Sequence, residues 1–589
     1  MIIDPVCGTP LDEEEVNVNT EVRGKTYYFC SECCRKTFLE GGRIAYFSME
    51  IGLKNEMPTY SGGLGVLAGD TILSAADLRI PLVATSLISR KGYFTQEITE
   101  DGIQIEHTAE WSPSHFMEEL PYKVQINIKG RTVYIKSWLY HQQSRTGGVI
   151  PILFLDTDVE ENTPEDREIT SHLYGGGDRY RLKQEMVLGV GGVRMLQTAG
   201  FNVRKYHMNE GHSSLLTLEL LRRHSMNPDD VRDMCVFTTH TPVEAGHDKF
   251  PYELVQEMMQ ELVPWEQIKK LGGKKKLNMT RLAINLSKYV NGVTKRHRDF
   301  SNHIFQCCKI HAITNGVHSY RWTCESFREL YNLYIPGWAN EPELLVRADI
   351  IPDDEIWQAH MKAKQELLDF IHQKTGLTLE KDVLTLGFAR RAAEYKRPGL
   401  LFSDLEKLRD INRERKIQVV YAGKAHPQDG PGKNLIQEIY GYMEELRGEI
   451  PLVYLEDYDL NTAAKLTSGV DVWLNTPLPP LEASGTSGMK AAHNGVVNFS
   501  VLDGWWIEGC VEGVTGWAIG PPPTEAVKEG ERRKKELEDL YNKLEYIILP
   551  TFYKRRDDWI EIMENSIEKI AYYFNSHRMM RRYVAEAYL

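Results

Sequence analysis

Short apolar runs of strand character alternate along most of this chain with longer stretches of helical periodicity. From Arg43 onward they read "RIAYFSMEI", "PLVATSLI", "PILFLDTD", "KYHMNEGH" and "MCVFTTHTP". A second series past residue 380 reads "DVLTLGFARR", "IQVVYAGKAHP", "PLVYLEDY", "VDVWLNTP" and "GVVNFSVLDGWW". The runs are nearly continuous in apolar character and are spaced for crossover helices, which predicts parallel sheets covered on both faces. Between the series, "TNGVHSYRW" followed by Pro336 and Gly337 places a boundary near residue 318. The last segment, "DDWIEIMENSIEKIAYYFNSHRMMRRYVAEAY", is helical in period and is expected to pack back across the domains. The expected fold is α/β, with two doubly wound Rossmann-like domains facing across a cleft and a small cysteine-rich module in front. The expected boundaries are 1–42, 43–318, 319–550 and 551–589.

Polar clusters fall at the ends of these strands, where a doubly wound domain collects its ligands. They are "SGGLG", "MNEGHSS", "TTHTP", "TNGVH", "ARRAAEYKRP", "AGKAHP" and "EASGTSGMKAAHNG". The last places Lys490 among residues too small to fill a core. A nucleotide-binding P-loop would need a hydroxyl directly after the lysine, and Ala491 follows instead. The plain alternative is a glycine-rich loop with one solvated lysine. The cluster of Arg390, Arg391, Lys396 and Arg397 at another strand end predicts an anion pocket, phosphate being its simplest occupant. A lysine beside such a pocket is what a Schiff base to an aldehyde cofactor requires.

Composition narrows the classes. A chain of 589 residues with 42% apolar and 26% charged residues is globular and multidomain. No apolar stretch is long enough to span a bilayer, so no membrane role is expected. The formal charge of −13 argues against nucleic acid as a partner, and "KKLGGKKKLN" reads as a solvated loop. The start lacks the basic-then-apolar order of a secretory signal, which predicts a cytoplasmic location.

Four of the nine cysteines, Cys7, Cys30, Cys33 and Cys34, lie in the first 34 residues. The spacing lets a loop cysteine meet a pair on a turn and helix start, as a soft-metal site requires, whether for zinc, copper(I) or iron. A metal-free structural appendage is the alternative. The stretch "DPVCG...YYFCSECC...F" resembles the YHS/TRASH family of small metal-binding modules.

The remainder, from about Arg43 onward, resembles the α-glucan phosphorylases in their short prokaryotic form, on the motifs "EASGTSGMK", "RRAAEYKR", "TNGVH", "TTHTP" and "SGGLG" taken in order. The resemblance implies a glycosyltransferase that splits glycogen, starch or maltodextrin with inorganic phosphate, giving α-glucose 1-phosphate with retention. It implies pyridoxal 5′-phosphate bound through Lys490, with the cofactor phosphate as proton shuttle. Arg391 and Lys396 match residues that hold the two phosphates, Gly62 and Gly63 lend amides, and Gly485 and Thr486 contact the cofactor phosphate. Glu482, Ser484, Asn315 and His240 match positions around the transferred glucosyl unit, with the His240 carbonyl facing the anomeric carbon. Glu50, Glu210 and His212 match positions toward the acceptor sugar. Family members are often dimeric, and no homodimer interface is legible in one chain. Ala393, Asp459 and Val66 depart from the long animal and plant enzymes at positions bearing on chain length and cofactor packing. A nucleotide-sugar-dependent glucosyltransferase of the glycogen-synthase kind shares the architecture but needs no aldehyde cofactor. A catalytically idle glucan-binding or metal-responsive protein is the reading from another class.

Overall fold

The computed structural model describes all positions except 1, 5, 7–8, 13–15, 23–24, 41, 243–245, 260, 306–308 and 526, and omits the side chains at 22, 25, 33, 37, 39 and 40. It divides into two compact units. Unit 1 comprises Met1–Tyr93, Thr108–Ile313 and Met580–Leu589, and unit 2 comprises Phe94–His107 and Thr314–Met579.

Unit 1 carries a nine-stranded sheet. Its strands are β1 (Arg43–Phe47), β2 (Leu82–Leu87), β3 (Glu118–Ile128), β4 (Arg131–Gln143), β5 (Val149–Asp156), β6 (Val203–Asn209), β7 (Cys235–Thr238), β8 (Tyr289–Gly292) and β9 (His311–Ala312), in the order β9-β8-β7-β6-β1-β2-β5-β4-β3. The run from β9 to β5 is parallel, while β5, β4 and β3 pair antiparallel. The parallel strands β1 and β2 are buried at every residue, as strands with both faces covered must be. Strand β3 largely alternates buried and accessible positions, and a two-residue turn at Lys129 and Gly130, both at positive φ, joins it to β4. Helix α1 (Gly63–Asp77) follows the loop after β1.

The first forty residues include an antiparallel hairpin, Val18–Val22 with Lys25–Phe29, and a helix at Glu32–Glu40. Their small core is Val6, Phe29 and Phe38, with the two phenylalanine rings 5.2 Å apart.

Unit 2 carries a six-stranded, wholly parallel sheet of β10 (Leu384–Ala389), β11 (Ile417–Ala422), β12 (Leu452–Leu455), β13 (Val472–Asn475), β14 (Val497–Val501) and β15 (Gly516–Ile519). The order β12-β11-β10-β13-β14-β15 is the doubly wound arrangement, in which strand order reverses between the first and fourth strands. The long helix α2 (Asp353–Thr375) carries Asp353, Asp354 and Glu355 in its first turn and His372 and Lys374 in its last, matching the helix dipole, and stops at Gly376 in the left-handed conformation. A hairpin, Thr95–Ile98 with Gln104–His107, also belongs to this unit. Its Gln96 amide donates to the Gly423 carbonyl and Gln104 donates to Ala425, while the Gln96 N–H binds Asp457. No local feature of the sequence announces that this excursion leaves unit 1.

Candidate functional site

Each unit places a cluster at the carboxyl ends of its strands, beside the reversal of strand order.

In unit 2 the loops after β10 and β13 are tied together. Thr476 donates its hydroxyl to the carbonyls of Lys396 and Arg397, Arg397 donates back to Thr476 and Pro477, and the Leu478 N–H binds Tyr395. This frame sets Glu482 between two cations. Its Oε2 accepts from Arg390 Nη2 at 2.6 Å and from Lys396 Nζ, all three side chains being about one-tenth exposed. Burial alone would raise the Glu482 pKa, but the charges of Arg390 and Lys396 override it and hold the group at about 2. Two cations face one carboxylate, so the cluster keeps net positive charge for an oxyanion.

Lys490 lies on α3 (Ser487–Ala492), in the loop and short helix before β14, with Thr486 as cap. Its side chain is buried, and Nζ stands 3.7 Å from the centroid of the Trp322 ring. A desolvated ammonium over an indole face is a favourable pairing. The small residues around it are small for cause. A Cβ on Gly488 would lie 2.2 Å from Asn498 Oδ1 and 2.7 Å from the Trp505 ring, and Gly485 sits at φ +73°, where a side chain is strained. The Ser484 hydroxyl and the Asn498 Oδ1 are buried without a hydrogen-bond partner among the described residues. The same holds for Asn315 Oδ1, while the carbonyls of Thr314 and Asn315 are both held by the Arg578 guanidinium, at 2.8 and 3.0 Å.

Arg391 is the arginine expected at the anion pocket, yet the ion pair to Glu482 is made by Arg390. Arg391 is exposed and lines a recess with Phe388, Tyr421 and Ile436. Arg390 lines the same recess and turns its guanidinium to Glu482.

In unit 1, β1, β6 and β7 end side by side and deliver Glu50, Glu210 and His240. Glu50 is buried, and its Oε2 accepts the Ser61 N–H at 2.6 Å and the Gly62 N–H at 3.1 Å, while Oε1 accepts the Tyr174 hydroxyl at 3.0 Å. The Gly62 amide is thus already engaged. The space a Cβ would take at Gly62 and at Gly63 is open. Glu210 sits at φ +72°, rare for a residue with a side chain, and its carboxylate accepts from Gly211, from the His240 N–H at 2.7 Å and from the Thr241 hydroxyl. Burial pushes both carboxyls up, against the lowering effect of these donors.

Burial pushes His240 and His212 down to about 3, so both imidazoles are neutral. His240 Nε2 lies 2.6 Å from Asn209 Oδ1, an atom that only accepts, which puts the ring hydrogen on Nε2. His212 faces Asp248 at 3.6 Å, and its Nδ1 is buried without a partner among the described residues. Asp248 shares Arg181 with Glu185, and Arg181 also covers the Tyr174 ring at 4.5 Å. Reading the sequence overlooks Tyr174, Arg181, Glu185 and Asp248. For the first three the signal is the polar run "YGGGDRYRLKQE" ahead of an apolar helix.

In the first forty residues, Asp4, Cys30 and Cys34 bring ligand atoms within 4.8 Å of one another, and the two sulfurs are 3.7 Å apart. Asp4 is an addition to the expected set. Cys7 and the Cys33 side chain lie outside the described residues. Among the described residues, no helix is long and apolar enough to cross a membrane.

Residues 247–519 match the Carbohydrate phosphorylase family, and residues 2–41 match the YHS domain. The chain is similar to maltodextrin phosphorylase of Thermococcus litoralis, at 39% identity over 92% of this chain and 70% of that protein. It is similar to glycogen phosphorylase of Aquifex aeolicus, at 36% over 92% and 86%, and to glycogen phosphorylase of Mycobacterium tuberculosis, at 35% over 92% and 70%.

Proposed function

The chain belongs to the carbohydrate phosphorylase family, and from that membership we propose that it is an α-1,4-glucan phosphorylase that transfers a terminal glucosyl unit to inorganic phosphate, giving α-glucose 1-phosphate with retention. The observation that carries the reading is the buried Lys490 in its small-residue loop, in the same unit as the Glu482, Arg390 and Lys396 cluster.

Pyridoxal 5′-phosphate fits these residues. Lys490 supplies the amine, and the loop at Gly485 and Gly488 excludes side chains from the space the cofactor would take. Lys490, Gly485, Thr486 and Lys396 are proposed to hold it. When bound, its phosphate supplies a proton-exchanging partner for the inorganic phosphate. Lys396, with Arg390 and Arg391, binds and orients that phosphate and offsets its charge. Glu482, locked in its ionised form, accepts hydrogen bonds only, which suits sugar hydroxyls and excludes it as a proton donor. Asn315 Oδ1 and the Ser484 hydroxyl are further partners for the glucosyl unit.

The residues of unit 1 are proposed to read the glucan. Glu50 and Glu210 already spend their acceptors on backbone N–H and hydroxyl groups, so their work is orienting loops rather than transferring protons. Neutral His240 directs its Nε2 hydrogen to Asn209, leaving its carbonyl as the dipole offered to developing positive charge. This differs from glycoside hydrolysis, in which two available carboxyls flank the bond. A nucleotide-sugar-dependent glucosyltransferase has no use for Lys490 in this setting. The proposed partners are thus an α-glucan and inorganic phosphate.

For the first forty residues, we propose a zinc-like cation held by Cys30, Cys34 and Cys7, with Asp4 or Cys33 completing the set; mixed sulfur and oxygen donors suit a borderline divalent ion.

The decisive experiment is phosphate-dependent release of glucose 1-phosphate from maltodextrin, beside Lys490→Ala. Release by the parent and none by the variant, together with loss of absorbance at wavelengths beyond the aromatic side chains, supports the reading. Release that survives in the variant sinks it.

A further inference from the structure

Below the unit 1 cluster lies a fully buried polar network that the proposed reaction does not use. His207 on β6, Thr238 on β7 and Asn291 on β8 stand side by side, and all three are at most 2% exposed. Two tyrosines from the segment Met580–Leu589 complete the network. Tyr588 Oη lies 2.6 Å from His207 Nδ1, and Tyr583 Oη lies 3.0 Å from both Thr238 Oγ1 and Asn291 Nδ2.

The chemistry of the partners fixes every proton. Asn291 Oδ1 accepts only, so the Thr238 hydroxyl donates to it at 3.0 Å. Thr238 Oγ1 must then accept from His207 Nε2 at 2.8 Å, which leaves His207 Nδ1 bare. The Tyr588 hydroxyl donates to that nitrogen. Asn291 Nδ2 donates to Tyr583 Oη, whose own hydrogen goes to Thr238. Burial pushes the His207 pKa down to about 3, in keeping with a neutral, single-tautomer imidazole that links Tyr588 to the Thr238, Asn291 and Tyr583 triangle.

The network members lie directly under the proposed glucan residues. His207 and Asn209 occupy one face of β6, two residues apart, and Asn209 receives the His240 hydrogen bond. Thr238 precedes His240 by two residues, its carbonyl accepts the Glu210 N–H at 2.9 Å, and the Thr239 N–H binds the Asn291 carbonyl. The network's side chains thus belong to the same strand residues whose backbone aims Glu210 and His240.

We infer that Tyr583 and Tyr588 are positioning residues that set the strand ends carrying Glu210 and His240, and thereby the affinity for glucan. The inference rests on the proposed phosphorolysis. It assigns Met580–Leu589 a role in substrate recognition beyond the filling of a core.

The test uses the full chain with its cofactor. Tyr588→Phe and Tyr583→Phe each remove one oxygen and keep the ring packing, and Thr238→Val breaks the network from the sheet side, so that a variant that fails to fold does not end the experiment. Glu586→Gln is the control, since Glu586 lies on the same segment but binds Tyr289 and Arg582 outside the network. The readouts are KM for maltoheptaose, KM for phosphate, cofactor absorbance, and calorimetric affinity for maltoheptaose without phosphate. The expected result is a rise of about threefold or more in glucan KM and Kd, with phosphate KM changed less than about twofold. The control is expected to keep both constants. Glucan constants that stay within about threefold of the parent in all three network variants overturn the inference, whatever happens to Tm. So does an equal rise in both substrates' KM. A parent that releases no glucose 1-phosphate refutes the activity instead, and the calorimetric arm still decides the positioning. Absence of maltoheptaose binding by the parent overturns both.

Discussion

The two strand-end clusters use the same topology to opposite electrostatic ends. In unit 2, Arg390 and Lys396 hold Glu482 ionised at about 2, so burial is answered by charge. In unit 1, burial wins, pushing Glu50 and Glu210 up and His240 and His212 down to about 3. Loops leaving parallel strands at a reversal of strand order will converge whatever they carry. What they carry then decides whether the pocket handles an oxyanion or a neutral, hydroxyl-rich ligand. The division of labour proposed here, phosphate with part of the glucosyl unit in unit 2 and the remaining glucan contacts in unit 1, follows from that contrast.

The largest effect should come from Lys396→Ala. Losing one of the two cations should lower kcat/KM for phosphate by about 100-fold or more, while maltoheptaose affinity without phosphate is retained. An equal loss of glucan affinity would break the division. Next comes Glu482→Ala. It strands two buried cations and should cost unit 2 about 3 kcal/mol of stability, read as a lower denaturation midpoint. Because the folded pKa lies below the ordinary 4.5, the ionised Glu482 stabilises the fold above pH 4.5, and that contribution is withdrawn as pH falls toward 2. The parent's extra stability over this variant should therefore persist at pH 5 and shrink below 4.5; a difference that vanishes by pH 6 would contradict the ion pair.

A smaller and sharper test concerns the imidazoles. With folded values near 3 against 6.5, His212 and His240 favour the fold above pH 6.5 and withdraw that support progressively as pH falls toward 3. Glu50 and Glu210, pushed up, work in the opposite sense and blunt the loss. Neither imidazole titrates near neutrality, so no limb of the glucan KM profile between about pH 5.5 and 8 should depend on His212 or His240. A limb near 6.5 that disappears in His212→Asn would show the cluster to be wetter than its burial implies. The smallest effect is expected at the amino-terminal module. Cobalt(II) should give a thiolate charge-transfer band that Cys30→Ser abolishes, and chelation should change phosphorolysis less than about twofold. A larger change would tie the module to catalysis.

Much of this was legible in residue order. The ten quoted apolar runs each fall on a strand of one of the two sheets, because parallel strands covered on both faces need continuous apolar sequence. The Lys490 loop was legible because a crowded backbone excludes side chains, and glycine is the trace left by that exclusion. Strands β3 and β4 are less legible, because "EELPYKVQINI" alternates instead of running apolar, as a strand with one wet face does. The hairpin at Thr95–His107 left no local mark of belonging to unit 2.

By itself, then, the sequence determined the α/β layering, the lysine-bearing loop and the set of polar clusters at strand ends, because periodicity and steric exclusion act over a few residues. The tertiary structure alone decided which groups meet. It chose Arg390 over Arg391 as the partner of Glu482, brought Tyr588 to His207 and Tyr583 to Thr238, and separated a carboxyl whose pKa is held down by cations from two whose pKa burial raises. Those outcomes depend on burial and on charges brought in from distant segments, and a residue's protonation state is set by the neighbours that folding gives it.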